Sequence, residues 1–173
     1  MRSRTDREPR CEASVVSAEL PPQSVEWALI GCQAGSVTAL LVLPARHGWN
    51  YSFITLGMGA IALIVGAILI FRSLRALRTN FAVSPQPKAS SRLITSGIFR
   101  FVRHPMYLGF FLLVGGVCLA RGSLLHFLPA FFTISSTVIL ANIEEVYLQR
   151  KFDKYRFYAE KTGKFVPRLT RAS

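Results

Sequence analysis

One uncharged run, YSFITLGMGAIALIVGAILIF from Tyr51 to Phe71, limits what this chain can become. A helix that crosses a bilayer needs about 20 apolar residues, with roughly 17 as the lower bound. The run meets that length. Three other apolar stretches belong with it. Val25 to Leu43 is long enough, although Glu26 and Gln33 dilute it. Met106 to Ala120 and Leu124 to Ala141 are shorter and are joined only by Arg121, Gly122 and Ser123. They read as a tight helical hairpin that crosses, or nearly crosses, the bilayer. The expected fold class is all-α: a multi-pass transmembrane helical bundle of about four spans, followed by a C-terminal cytosolic amphipathic helix. Residues 25–173 are expected to form one domain, after a polar and disordered tail over 1–24.

Charge fixes the expected orientation. The chain carries a net +12, yet 51% of its residues are hydrophobic and 17% charged. With four spans, 19 of the 21 Lys and Arg fall on one side: the N-terminal tail, the loop from Arg72 to Arg103, and the segment from Arg150 onward. The outer turns keep only Arg46 and Arg121. The positive-inside rule then places both termini and the long loop in the cytoplasm. Topology and attraction to anionic lipid account for the basicity, so a nucleic-acid partner is not expected. A cleaved signal peptide is not expected either, because polar residues precede the first apolar run and no small-x-small site follows it. Cys11, Cys32 and Cys118 have no disulfide or metal-ligand spacing and read as core residues. The glycines of GMGAIALIVG, Gly57 to Gly66, read as small residues for helix packing rather than as a nucleotide fingerprint. His126 reads as an interfacial polar group, and His47 with Trp49 as an aromatic anchor in an outer turn.

Two polar segments are long enough to build a site. In FRSLRALRTNF the arginines recur every third residue, as on a helix end lying at the headgroups. Pro85 and Pro87 then break any helix, Leu93-Ile94 reads as extended, and Ser96-Gly97 reads as a turn. The tail, NIEEVYLQRKFDKYRFYAEKTGKFVPRL, continues the last span as an amphipathic helix to about Thr162-Gly163. Where that span leaves the bilayer stand Glu144 and Glu145. Ionisable groups at such depth are usually paired. The two carboxylates are placed either to pair Arg100 or Arg103 or to hold a cationic ligand.

The segment GIFRFVRHPMYLG offers the complementary half. His104 is a candidate N-cap and Pro105 a natural first helical residue. The free N–H groups of that helix start favour an anion, and Tyr107 lies on the same face as His104. With Glu144 closing against this end, the pocket would match a zwitterionic amino acid bearing a cationic sulfur and a flat base, the chemistry of S-adenosyl-L-methionine.

Two stretches, LITSGIFRFVRHPMYLG (Leu93 to Gly109) and EEVYLQRKFDKYRFYAEKTGKFVPRL (Glu144 to Leu169), carry a resemblance. In order and spacing the chain resembles the isoprenylcysteine carboxyl methyltransferase and phospholipid methyltransferase superfamily of integral membrane enzymes. That resemblance implies a helical bundle with the cofactor pocket at its cytosolic end and a lipid acceptor entering from the bilayer. It implies cofactor contacts from Leu93, Ile94, Phe99, His104, Pro105, Met106, Tyr107 and Glu144. Phe99 stands where the family usually has tyrosine. Leu140 stands where the eukaryotic prenylcysteine enzymes have an arginine facing the substrate carboxylate, which leaves Arg103, or Arg100, as the candidate for that catalytic role. No metal is implied. The favoured reaction is methylation of a prenylcysteine-like carboxylate. Phospholipid N-methylation, a sterol-type reductase and a non-enzymatic membrane protein are the alternatives.

Overall fold

The computed structural model describes residues 20–45 and 52–168. The expectations for Arg2 to Cys11, Arg46, His47, Trp49 and Arg171 lie outside these residues. Five α-helices follow in order: α1 Gln23–Val42, α2 Phe53–Leu77, α3 Pro105–Arg121, α4 Phe127–Lys151 and α5 Tyr155–Lys161. Among the described residues the only β-type pairing is an isolated parallel bridge between Val102 and Gly163. The all-α expectation holds. Three helices are long and apolar enough to cross a membrane, and α3, with 17 residues, is a shorter apolar one. At 1.5 Å per residue α3 is about 26 Å long, slightly under the hydrocarbon thickness of a bilayer.

The pairing of the helices differs from a simple hairpin. Although α3 and α4 are joined by a tight turn, α3 lies chiefly against α2, and α4 chiefly against α1. Glycine explains the first pair. Gly59 and Gly66 on α2 oppose Gly116 and Gly109 on the antiparallel α3. A Cβ on Gly66 would sit 2.6 Å from the Gly109 carbonyl oxygen, and one on Gly116 would sit 2.9 Å from that of Gly59. In lipid no hydrophobic force drives helices together, so such backbone contact is the main source of cohesion. The small-residue reading is therefore correct for Gly59 and Gly66 but not for Gly57, which has open space around it. Ile54, Ile61, Ile64 and Ile68 of α2 remain exposed, as side chains facing acyl chains should.

At the far end Arg121 Nη2 donates to the Leu41 carbonyl at 2.8 Å, joining the C-termini of α1 and α3. Nearby, His126 is fully buried beside the Cys118 sulfur, which reaches its carbonyl at 3.7 Å. This corrects the interfacial reading of His126: the turn folds it inward, under α3. Cys118 is a core residue as expected, whereas Cys32 is exposed on the outside of α1. The tail is also not one continuous helix. It breaks after Lys151, and Tyr155 starts α5 with its ring 1% exposed. Phe152 ends α4 in extended conformation, and the two residues after it turn the chain into α5. The expected end at Thr162 stands, because that residue caps α5 in extended conformation.

Candidate active site

The polar end of the bundle is built by two segments that meet across sixty residues of sequence. Gly97 takes φ +63°, a left-handed turn that costs other residues about 1–2 kcal/mol, and starts the short 3₁₀ turn Gly97–Arg100. The chain then runs beside the residues after α5. Arg103 N–H donates to the Gly163 carbonyl at 2.9 Å, and His104 N–H to that of Lys164 at 3.0 Å. Phe165 folds back against Phe111 of α3 and the His104 ring, with centroids 5.2 and 5.9 Å apart. His104 takes the N-cap position of α3, without a side-chain capping hydrogen bond, and Pro105 is its first residue, as the sequence predicts. The His104 carbonyl already accepts from Leu108 N–H at 3.1 Å. Met106 and Tyr107 therefore carry the first-turn amides that have no intrahelical partner.

Adjacent positions on a helix point about 100° apart, and this separates the two glutamates. Glu145 turns toward the loop before α3. Its Oε1 accepts from Arg103 Nε at 2.9 Å and lies 3.2 Å from His104 Nε2, and its Oε2 lies 3.2 Å from Lys164 Nζ. Arg103 Nη1 also donates to the carbonyls of Ala159, at 2.6 Å, and Thr162. One guanidinium thus ties α4, α5 and the start of α3 together. Glu144 turns the other way. Its Oε2 accepts from Tyr107 Oη at 2.9 Å and is 3.7 Å from His104 Nδ1, while its side chain stays 31% exposed. The Tyr107 ring stacks on His104, 5.4 Å away and 17° from parallel.

On the Glu144 side lies an open pocket of about 780 Å³, counting its mouth. The structure brings Leu93, Ile94, Phe99, Arg103, Met106, Tyr107 and Glu144 to its walls. His104 and Pro105 do not reach the pocket surface. They are buried behind it, where His104 braces Tyr107 and both glutamates. Leu140 is buried in the bundle and Arg100 is absent from the walls. Sequence reasoning missed a whole side of the pocket. The Pro-rich segment Phe81 to Pro87 lines it, together with Arg92, Phe152, Tyr155 and Tyr158. The tail tyrosines carried a signal, since their apolar spacing marked a packed face, but nothing in it pointed toward Pro85 or Arg92.

The tail side of the pocket stays uncharged. Tyr158 Oη donates to the Phe99 carbonyl at 2.6 Å, and its ring meets Tyr155 edge-on with centroids 5.9 Å apart. Burial, more than any neighbouring charge, pushes the Tyr158 phenol up to about 12 and drives Tyr155 up further. Both remain neutral at any physiological pH. Among the described residues no group of His, Cys, Asp and Glu is arranged to hold a metal ion.

Fold and site together describe a helical membrane protein with a polar, aromatic-walled pocket at one end of its bundle. The phospholipid methyltransferase family model matches residues 54–155, more than half of the chain. The chain belongs to that family, a family of membrane methyltransferases. A search of curated proteins finds no match.

Proposed function

We propose that the protein transfers a methyl group from S-adenosyl-L-methionine to a lipid-embedded acceptor, and that the acceptor group is a carboxylate of the prenylcysteine type. The observation that carries this reading is the division between the two glutamates. Glu145 is neutralised by Arg103 and Lys164, whereas Glu144 reaches the pocket with the Tyr107 hydroxyl donating to it and the His104 Nδ1 3.7 Å away. A part-exposed carboxylate beside first-turn amides and aromatic rings suits a zwitterionic, cationic and flat molecule. Glu144 would hold the cofactor's ammonium group, the Met106 and Tyr107 amides its carboxylate, and Phe99 with its neighbours the base. When bound, the cofactor supplies an electrophilic methyl on a sulfonium.

The chain's own contribution is proximity, orientation and exclusion of water. Among the described pocket residues Glu144 is the only carboxylate and no histidine is present. With Glu144 on the ammonium, no base remains to deprotonate an amine. A carboxylate acceptor is already ionised and needs none. Arg92, exposed at the pocket wall, supplies a cation for it. Arg103, whose donors meet Glu145 and two carbonyls, acts as a positioning residue. The basic residues around this end support a cytoplasmic orientation of the pocket and both termini. The family match itself favours a second reading, N-methylation of a phospholipid amine, in which Glu144 accepts the proton.

The test uses purified protein in nanodiscs with methyl-labelled S-adenosylmethionine, a farnesylated cysteine analogue and mixed phospholipids. Label released as methanol after mild base is the expected outcome. It should be lost in Glu144→Gln, which weakens cofactor binding by about 1.5–3 kcal/mol, roughly 10- to 150-fold. Base-stable label in phospholipid would move the acceptor to an amine. Unchanged cofactor binding in Glu144→Gln would overturn the role given to that residue.

A further inference from the structure

Glu26 stands in the first turn of α1 and is 1% exposed. It lies outside the region that the family model matches. An ionised carboxylate this deep is costly unless its oxygens are hydrogen-bonded, and here both are. Tyr147 Oη, from α4, donates to Oε1 at 2.6 Å, and Ser84 Oγ donates to Oε2 at 3.3 Å. The two donors differ in kind. Tyr147 belongs to the helical scaffold, whereas Ser84 belongs to the Pro-rich wall of the pocket.

That wall has no hydrogen-bond ladder of its own. Pro85 and Pro87 lack N–H groups, and residues 81–92 form neither helix nor strand. Side chains hold it instead. At its base Asn80 exchanges two bonds with the Arg92 backbone, at 3.3 and 3.4 Å. Along its outer edge Lys151 Nζ donates to the Lys88 and Ala89 carbonyls and to Ser91 Oγ. At its tip Ser84 Oγ accepts from Gln86 N–H at 3.3 Å while donating to Glu26. Ser84, Pro85, Gln86 and Pro87 all face the pocket, yet α1 contributes no lining residue.

We propose that Glu26 is a positioning residue that latches the 81–92 wall to the α1–α4 pair through Ser84, so that α1 controls how tightly the pocket holds its occupant. This rests on the reading of the pocket as the cofactor site. Opening the wall to admit or release a ligand breaks the Ser84–Glu26 bond while the Tyr147–Glu26 bond keeps α1 and α4 together.

Ser84→Ala cuts the latch without touching the helices, and Ser84→Thr restores the hydroxyl. Amide hydrogen exchange is followed in ligand-free protein in nanodiscs. Exchange over 81–92 should rise about tenfold in Ser84→Ala, the low end for a lost hydrogen bond to a charged group, and return toward wild type in Ser84→Thr. Exchange in α2 and α3 should not change. Dissociation of S-adenosylhomocysteine should accelerate by a similar factor, with kcat changed less than the cofactor KM. Wild-type exchange over 81–92 in Ser84→Ala would overturn the latch, as would faster exchange with unchanged ligand dissociation. Failure of wild-type protein to bind S-adenosylhomocysteine would refute the cofactor reading instead, and the exchange result would still decide whether Glu26 holds the wall.

Discussion

Glu144 and Glu145 are neighbours in sequence and chemically identical, so replacing each by alanine isolates the effect of position. Glu145 is 16% exposed and faces Arg103, itself 12% exposed, at 2.9 Å, with Lys164 at 3.2 Å. Removing one member of a buried pair costs about 3–5 kcal/mol, because the remaining charge loses its partner in a poorly solvated place. Partial exposure and the two carbonyls that Arg103 keeps put this case at the low end, about 3 kcal/mol. Glu144 donates nothing and accepts one hydroxyl at the open side of the pocket, so its removal costs about 1 kcal/mol and water replaces it. Against a typical stability of about 5–15 kcal/mol, the first loss is large and the second small. Thermal unfolding in nanodiscs should therefore show a marked drop for Glu145→Ala and a slight one for Glu144→Ala. S-adenosylhomocysteine affinity should fall by about tenfold or more in Glu144→Ala, even at temperatures where the variant is fully folded. Equal melting temperatures for the two variants would refute the argument that α4 directs one carboxylate to structure and the other to the pocket.

The glycine seam gives a second test. Gly66→Ala forces a methyl to within 2.6 Å of the Gly109 carbonyl and should cost about 1–3 kcal/mol through helix separation, while Gly57→Ala, with open space around it, should be neutral or slightly stabilising. Thermal unfolding of both variants in nanodiscs checks this. Tyr158 predicts a pH effect. Its phenol is raised from 10.0 to about 12, so the folded state holds this proton more tightly than the unfolded chain. The resulting stability is complete below pH 10 and disappears as pH rises toward 12. Tyr158→Phe should lose the 2.6 Å bond to Phe99 at neutral pH and show a flatter stability curve over that alkaline window in pH-dependent unfolding.

Much of the molecule was legible because it is written in local pattern. Hydropathy over consecutive residues marks a span whatever lies beside it, and α1, α2, α3 and α4 fall near their expected places. His104 and Pro105 opened a helix because capping depends on backbone groups within one turn. The turn at Gly97 and the helix end near Thr162 followed from the same local rules.

What the sequence could not decide was which distant groups meet. Whether Arg103 faces a substrate or Glu145 depends on the rotation of α4 against the loop before α3, and a one-residue difference on a helix is a turn of about 100°. Hydropathy read Glu26 as a flaw in a span, yet tertiary contact makes it the acceptor for Tyr147 and Ser84. The same holds for the pairing of α3 with α2 rather than with its neighbour α4, which two glycines seven residues apart on each helix permit. The sequence by itself determined the spans, the helix starts and the residues able to do polar chemistry, because these follow from solvation and short-range backbone geometry. Only the tertiary structure decided which of those residues face the pocket and which hold its walls, because close packing selects one set of partners among many that local propensity allows.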